Sequence, residues 1–580
     1  MPNSSPPLPD GQRMIRWNAN LQYRTYSSWI FPFSVIITLI LFHGINNYIW
    51  LKNSLSVPLV GDEAFHIRKL FEQYYPLENL MEWVRILKDG TYSPLYYLTS
   101  VSFNRLLGEG LFATRMANIF WFIIILVSTY KLGKYLFSRE TGLLSAIILS
   151  FYPVVYGSSR LFREEFGLMG MVPLAMLFLF KTQGFKNLKY SLLFGVIFGI
   201  GMMVKIPFIL FMISPVIYIL VKSLISDKEK KGKLRNFFIT FVIVVLIIFP
   251  RFLDPFQARE YVLTPFGEAL GQGGWYEFFN LKVFTLGMIN YQLTLPFFLL
   301  FFIALFLFIK KERKDIKIVF LLWIFVPLVF LTFIPHRKLI RHIIPYLPAI
   351  ALISSFGITS IKKGTVKRVM IFLIIFIGLV QYYEFSFGMG VPLDKLKLNI
   401  FKKNIPYFYS TLSNDNNVSC CKPFKGRIYR EVVSYIDKNS NKAMKTHLLI
   451  MPSDIFDIET WRMFFYFGKF PFKAVVLKPD YNFIPELVKA IKETQFVFFG
   501  RKDLNMGFSG YLDYQVEMVK ACYLSHYEKE RFIKFEHFLQ SYYMQYKEEC
   551  LREMDDFEIS ESFEDENGTR FYLLERVSVR

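Results

Sequence analysis

Between residues 30 and 385 the chain is a series of apolar runs separated by short loops rich in Lys and Arg, and this pattern constrains the fold more than any other feature. A bilayer core is about 30 Å thick and takes roughly 20 apolar residues at about 1.5 Å each. Runs that reach or approach this length are Trp29–Trp50, Pro94–Leu107, Ala113–Leu132, Thr141–Tyr156, Phe166–Phe180 and Tyr190–Val204. They continue with Pro207–Val221, Phe237–Phe252, Leu286–Ile309, Ile316–Ile334, Leu339–Ile358 and Val369–Phe385. The expected fold class is therefore a polytopic α-helical membrane protein with about twelve transmembrane helices. Pro94–Leu107 is the weakest of them.

The loops set the expected orientation, because Lys and Arg stay on the cytoplasmic side. Arg13, Arg16 and Arg24 mark the N-terminal tail. Later basic segments are Lys131 with Lys134 and Arg139, Lys181 with Lys186 and Lys189, Lys222 to Arg235, Lys310 to Lys317, and Lys362 to Arg368. With Pro94–Leu107 counted as a span, these six segments are expected on one cytoplasmic face. The first 29 residues form a cytoplasmic tail, because the run that follows them is long and lacks a small-residue cleavage site. Residues 30–388 form the membrane domain, with a first outer loop at 52–92, and residues 389–580 form an extracytoplasmic soluble domain. The net charge of +21 resides largely in the short loops, which points to a membrane and its lipids and excludes nucleic acid as the partner.

Charged residues that face the other side form a second inventory. Gly61-Asp62-Glu63-Ala64-Phe65-His66 follows the first span, and Asp62 and His66 share a helix face. Glu164-Glu165 opens the fifth span, with Arg160 and Arg163 within a turn. Lys205 interrupts an apolar run before Pro207, and His336-Arg337-Lys338 precedes Arg341-His342 at the mouth of another. A solvated loop, dipole-complementing carboxylates and snorkelling cations account for any one of these. Acids opposite cations at one interface suit a general base with an anion-binding site, because a planar guanidinium matches phosphate.

Taken in order, these motifs resemble the C-type integral-membrane glycosyltransferases, and most closely glycosyltransferase family 39, which includes the protein O-mannosyltransferases and the aminoarabinose transferases. The resemblance rests on Asp62-Glu63, Ser93-Pro94-Leu95-Tyr96-Tyr97, Arg115, Tyr135-Leu136-Phe137 with Thr141 to Ala146, Tyr152-Pro153, Ser159-Arg160, Lys205-Ile206-Pro207 and Arg341 to Ala349. The chain departs from the family in having Glu164 or Glu165 in place of Asp, and His342 where Tyr is usual. The resemblance implies inverting transfer of a sugar from a polyprenyl- or dolichyl-phosphate donor to a hydroxyl of a protein, lipid or glycan on the outer face. Asp62, Glu63, Glu164 and Glu165 are the catalytic candidates, with Asp62 as general base. Arg341, Lys205, Arg337 and His342 are expected at the donor phosphate, and His66 and Arg160 are candidates for the acceptor or a metal. Members of the superfamily work with or without a divalent metal, so none is required, although Asp62, Glu165 and His66 could ligate Mg, Mn or Zn. The plasma (inner) membrane of a prokaryote is expected in preference to the endoplasmic reticulum. A polymerase or ligase using a lipid-diphosphate donor, and a lipid-linked sugar transporter, are the alternatives.

In the tail, His447–Met451, Lys473–Leu477 and Thr494–Phe499 read as short buried strands. Glu431–Asp437, Ile458–Gly468, Pro485–Ile491 and the longer Arg531–Glu549 read as helices. Alternation of this kind predicts a small α/β layer with a parallel sheet. Cys420, Cys421, Cys522 and Cys550 lie here without metal-ligand spacing, so a disulfide and free thiols both stay open.

Overall fold

The computed structural model describes residues 30–53, 62–76, 94–225, 229–252, 288–333 and 340–388. Beyond these it describes parts of the tail: 397–400, 403–406, 427–439, 446–450, 474–476, 494–500, 554–564 and 570–577, with a few single residues beside them. The first part is a bundle of helices: α1 (Ile30–Asn53), α2 (Asp62–Lys69), α3 (Pro94–Leu107), α4 (Leu111–Met116), α5 (Asn118–Leu136), α6 (Arg139–Ser150), α7 (Pro153–Ser158) and α8 (Glu164–Lys181). It continues with α9 (Leu188–Val204), α10 (Phe208–Ile225), α11 (Lys230–Ile248), α12 (Leu295–Lys311), α13 (Lys314–Phe333), α14 (Leu347–Thr359) and α15 (Gly364–Phe387). A π-helical turn, Leu70–Tyr74, extends α2, and a 3-10 stretch, Ile340–Tyr346, leads into α14.

Among the described residues, six segments are long and apolar enough to cross a membrane: Ile30–Lys52, Leu111–Leu136, Phe208–Ile225, Lys314–Thr332, Arg341–Thr359 and Gly364–Phe387. The protein is thus a helical integral membrane protein. The other helices are shorter or carry charges at their ends, as α8 does with Glu164, Glu165 and Lys181. Two of the tight turns are closed by side-chain caps: Ser138 accepts from the Thr141 amide ahead of α6, and Asn187 accepts from the Tyr190 amide ahead of α9. At the α5–α6 crossing, a Cβ on Gly142 would sit 2.4 Å from the Tyr130 carbonyl oxygen. These helices therefore meet backbone to backbone, and only glycine fits there.

The structure corrects the count of twelve spans at Pro94–Leu107. Helix α1 packs antiparallel to α5 and to α4, which runs into it: His43 lies on Phe122 and Gly44 on Ile119 of α5, and Tyr48 on Phe112 of α4. They are successive passes through the bundle, although α3 lies between them in sequence. Both ends of α3 stay beside the start of α5. Near its first turn, Tyr96 donates to Asn118 at 2.6 Å; near its last, Asn104 donates to Thr114 at 2.9 Å and accepts from the Gly110 amide. At 14 residues, α3 spans only about 21 Å, less than the hydrocarbon core. Its apolar residues bury Tyr96, Tyr97 and Val101 against protein. The parity of the sequence reading changes with it. Two passes, not three, separate the N-terminal tail from the Lys131–Arg139 turn, and this number places the basic segments together.

The turns that alternate with the site do come together. Lys186 pairs with Glu229 at 3.1 Å and Lys367 with Glu140 at 3.0 Å, and Lys222 pairs with Asp315. These bridges join the α9, α11, α15, α6, α10 and α13 ends that carry the basic residues.

In the tail, Thr446–Ile450 (β3), Ala474–Val476 (β4) and Thr494–Gly500 (β5) form a parallel core in the order β4-β3-β5. Two strands that sequence reading missed, Phe557–Glu564 (β6) and Arg570–Arg576 (β7), extend it antiparallel to β5-β7-β6. Lys397–Ile400 (β1) and Lys403–Pro406 (β2) make a separate hairpin, and α16 (Arg427–Asn439) packs by Tyr435 against Phe496. The expected helices Ile458–Gly468 and Arg531–Glu549, most of Pro485–Ile491, and all four cysteines lie outside the described residues.

Candidate functional site

At the end of the bundle opposite the basic turns, side chains from four segments form one chain of charges. It is built on α8, whose N-terminal turn presents Glu164 and Glu165, where carboxylates complement the unpaired amides. The chain breaks from α9 at Lys205, whose backbone is extended, ahead of Pro207, which lacks the amide needed to carry the helix on. This projects the Lys205 ammonium to 3.1 Å from Glu164 and 2.7 Å from Glu165. His342 lies 3.2 Å from the same Glu165 oxygen and Arg341 3.8 Å from it. Glu164 is fully buried and Arg341 only 7% exposed. Burial disfavours the Lys205 ammonium, but Glu165 and Glu164 outweigh it and hold its pKa above the ordinary lysine range. Lys205 is therefore a permanent cation at working pH.

Helix α2 closes the site from another side. His66 Nδ1 shares a 2.6 Å hydrogen bond with the Tyr97 hydroxyl and stands 3.6 Å from Glu164. Tyr97 is itself fixed by stacking on Tyr74, with centroids 4.6 Å apart and planes 7° from parallel. Lys69, one turn beyond His66, has its pKa lowered to about 8; burial is the main cause, with Arg68 adding to it and Glu164 opposing it. Asp62 begins α2, but its side chain lies outside the described residues, as do Arg337 and its neighbours. Asp62, His66 and Lys69 follow i, i+4, i+7 spacing and so share one helix face.

Glu63 and Arg160 stand apart from that chain. Glu63 is fully buried and bidentate with Arg115, at 2.9 and 2.8 Å, and it also accepts from the Phe162 amide at 2.7 Å. One carboxylate thereby ties α2 to α4 and to the turn ahead of Glu164. Arg160 donates to Asn47 and to Tyr382 at 3.0 Å each, with the Trp50, Tyr156 and Tyr382 rings around its guanidinium at 5.1 to 5.5 Å. It is a cation held by aromatic faces, bridging α1 and α15.

Sequence reasoning listed Arg115 only as part of a motif, and it missed Tyr97 and Lys69 as site residues. The Lys69 signal was there in the i+7 spacing from Asp62. The Glu63–Arg115 pair, 52 residues apart, has no local signature. Among the described residues no three His, Cys, Asp or Glu side chains come together as a metal site, and Glu164 and Glu165 share Lys205.

No curated protein matches the chain. Solved structures resemble it at low identity. ArnT from Cupriavidus metallidurans bound to undecaprenyl phosphate aligns with a TM-score of 0.48 and 12% identity, over 83% of this chain and 95% of that one. The oligosaccharyltransferase of Archaeoglobus fulgidus in its apo form aligns at 0.46 and 10%, over 84% and 72%. AglB from the same organism, in complex with an inhibitory peptide and a dolichol-phosphate, aligns at 0.40 and 12%, over 84% and 71%. Residues 92–253, which include Tyr97, Arg115, Glu164, Glu165 and Lys205, match the family model described as dolichyl-phosphate-mannose-protein mannosyltransferase, so over this stretch the chain carries the sequence pattern of the membrane glycosyltransferase family that its motifs resemble.

Proposed function

We propose that the protein is an inverting glycosyltransferase that moves a sugar from a polyprenyl-phosphate donor to an acceptor hydroxyl on the extracytoplasmic face of the membrane. The observation that supports this reading best is the buried Glu164–Lys205–Glu165–Arg341 chain beside the helix that begins at Asp62. The match of residues 92–253 to the dolichyl-phosphate-mannose-protein mannosyltransferase family supports a lipid-phosphate sugar as the donor.

In the reaction, the Asp62 carboxylate takes the proton of the acceptor hydroxyl. The freed oxygen pair attacks the anomeric carbon from the face opposite the phosphate. The bond between that carbon and the phosphate oxygen breaks, and its electron pair leaves on the lipid phosphate, inverting the configuration. The phosphate gains one negative charge, so stabilising that charge is the main demand on the protein. Lys205 and Arg341 meet it, with His342 as a further donor. Glu164 and Glu165 hold these cations in place before the donor arrives, since unpaired buried charges are costly. Glu63 acts as a positioning residue through Arg115.

In this reading the basic turns face the cytoplasm and the site faces the outer side, the arrangement that the retention of Lys and Arg in cytoplasmic loops favours. In the same reading the membrane is the plasma membrane of a prokaryote, and the tail domain, reached after α15, lies on the side of the site. Asp62→Asn tests the assignment. The variant is expected to fold and insert normally while losing transfer of labelled sugar from polyprenyl phosphate in membrane vesicles. Retained transfer removes Asp62 as base. Transfer from a lipid-diphosphate donor, and not from a monophosphate, replaces this reading with the polymerase or ligase.

A further inference from the structure

Helices α12, α14 and α15 leave an apolar slot between them. At one end the Thr294 hydroxyl donates to Gln381 at 2.9 Å and ties the start of α12 to the last part of α15. Tyr346, ahead of α14, bonds Gln292, ahead of α12, so these two helices start together and run parallel. They stay close along their length, since a Cβ on Gly357 would meet the Ala304 side chain at 2.5 Å, and α15 runs back past both. Between them lies a groove of about 310 Å³. Pro296, Leu300 and Leu307 of α12, Ile361 just after α14, and Met370 and Ile377 of α15 are on its walls. Every wall residue is apolar, and the slot opens sideways between Leu299 and Leu373, which are exposed.

The length of the slot and the charge on its rim point to one kind of occupant. From Pro296 to Leu307 α12 rises about 16 Å, close to half of the roughly 30 Å hydrocarbon core and so to the depth of one leaflet. A volume of about 310 Å³ spread over that length leaves room for one extended chain, not for a helix about 10 Å across. The end formed by Leu307 and Ile361 runs on into lysines. Lys310 and Lys311 lie one turn beyond Leu307 on the same helix face, and Lys362 and Lys363 follow Ile361. All four are exposed, and none forms an ion pair with a described residue. Glu312, beside Lys311, pairs instead with Arg313 at 3.8 Å. The other end of the slot meets the neutral Thr294–Gln381 pair. A hydrocarbon chain that carries an anionic headgroup at its basic end satisfies both features.

We propose that the slot between α12, α14 and α15 binds one acyl chain of an anionic phospholipid, with the headgroup phosphate on Lys310, Lys311, Lys362 and Lys363. The lipid comes from the leaflet beside those lysines. The cations assigned to the donor phosphate, Lys205 and Arg341, lie at the opposite end of the bundle, so the slot is separate from the transfer site and its occupancy does not depend on that reaction.

Native mass spectrometry of the full-length protein in detergent, titrated with phosphatidylglycerol or with phosphatidylcholine of the same chains, tests the proposal. Wild-type protein is expected to hold one phosphatidylglycerol in preference to phosphatidylcholine. Leu300→Trp, which fills the slot, should abolish that binding. Where this variant does not fold, Leu373→Trp at the open mouth reads the same loss. Lys310→Gln with Lys311→Gln should weaken binding about thirtyfold, two cations' worth, and Lys310→Arg with Lys311→Arg should leave it unchanged. Glycerol phosphate, which has the charge without the chains, should not compete. Unchanged binding in the folded Trp and Gln variants overturns the proposal. So does equal binding of phosphatidylcholine, competition by glycerol phosphate, or displacement by an equal concentration of polyprenyl phosphate, which assigns the slot to the donor.

Discussion

Replacing Glu63 by Gln keeps the size of the side chain and removes one charge, so it isolates the pair with Arg115. Both side chains are buried, at 0% and 2% exposure, and two bonds of 2.8 and 2.9 Å join them. After the change, the amide oxygen still accepts from the Phe162 amide and from one guanidinium N–H. The amide NH2, however, now faces the second N–H of Arg115, and the guanidinium is left buried without a counter-charge. Removing one partner of such a pair costs about 3–5 kcal/mol. At about 2 °C per kcal/mol for a domain this large, the midpoint should fall by roughly 6–10 °C. The assay is the fraction of detergent-purified protein that stays monodisperse on size exclusion after heating. Arg115→Met should cost a similar amount, and the double variant should lose at least about 2 kcal/mol less than the two singles summed. Because α2 also begins at Asp62, the transfer rate should fall in the singles while donor KM changes little. Additive losses in the double variant would refute the argument that the pair acts as one strut.

Three further outcomes are expected. Lys69, with its pKa near 8, should react with an acylating reagent at a midpoint near pH 8, well below exposed lysines; the amine is protonated and unreactive below that pH and free above it, so peptide mapping across pH 7–11 that places Lys69 with the other lysines removes the assignment. Lys205→Met should take from Glu164 and Glu165 the cation they share, leaving Glu165 to Arg341 and His342 and Glu164 to His66, lower heat stability by several kcal/mol, and abolish transfer, with Lys205→Arg regaining part of both, as read by the same heating assay and by vesicle transfer. Gly142→Ala should separate α5 from α6 by forcing a Cβ against the Tyr130 carbonyl, at a cost of about 1–3 kcal/mol and with reduced yield of inserted protein, whereas Gly364→Ala, where nothing lies within 4 Å, should be neutral.

Much of the site was legible because charges near hydrocarbon are rare enough to stand out. Glu164, Glu165, Lys205, Arg341 and His342 were all singled out from sequence, and they meet. What sequence reasoning could not supply was pairing across the fold. Glu63 looked equivalent to its neighbour Asp62, yet it turns to Arg115, and Arg160 looked like part of the acid cluster, yet it lies among aromatic rings. The misreading of α3 has a general cause. Hydropathy records that residues avoid water, not whether lipid or protein covers them, so a short helix buried by protein scores as a weak span. In the tail, Phe557–Glu564 alternates apolar and polar residues, a period-two signal that was present and overlooked.

The charge chain also bears on how the protein is made. Its members leave the ribosome in the order His66, Glu164 and Glu165, Lys205, and last Arg341 and His342, with α3 through α13 emerging in between. Two carboxylates therefore wait at the membrane edge until their cations are inserted, and the unfinished chain carries an unmet demand for positive charge. Lys205 meets part of that demand, and only the arrival of Arg341 and His342, just ahead of α14, completes the pairing of Glu165.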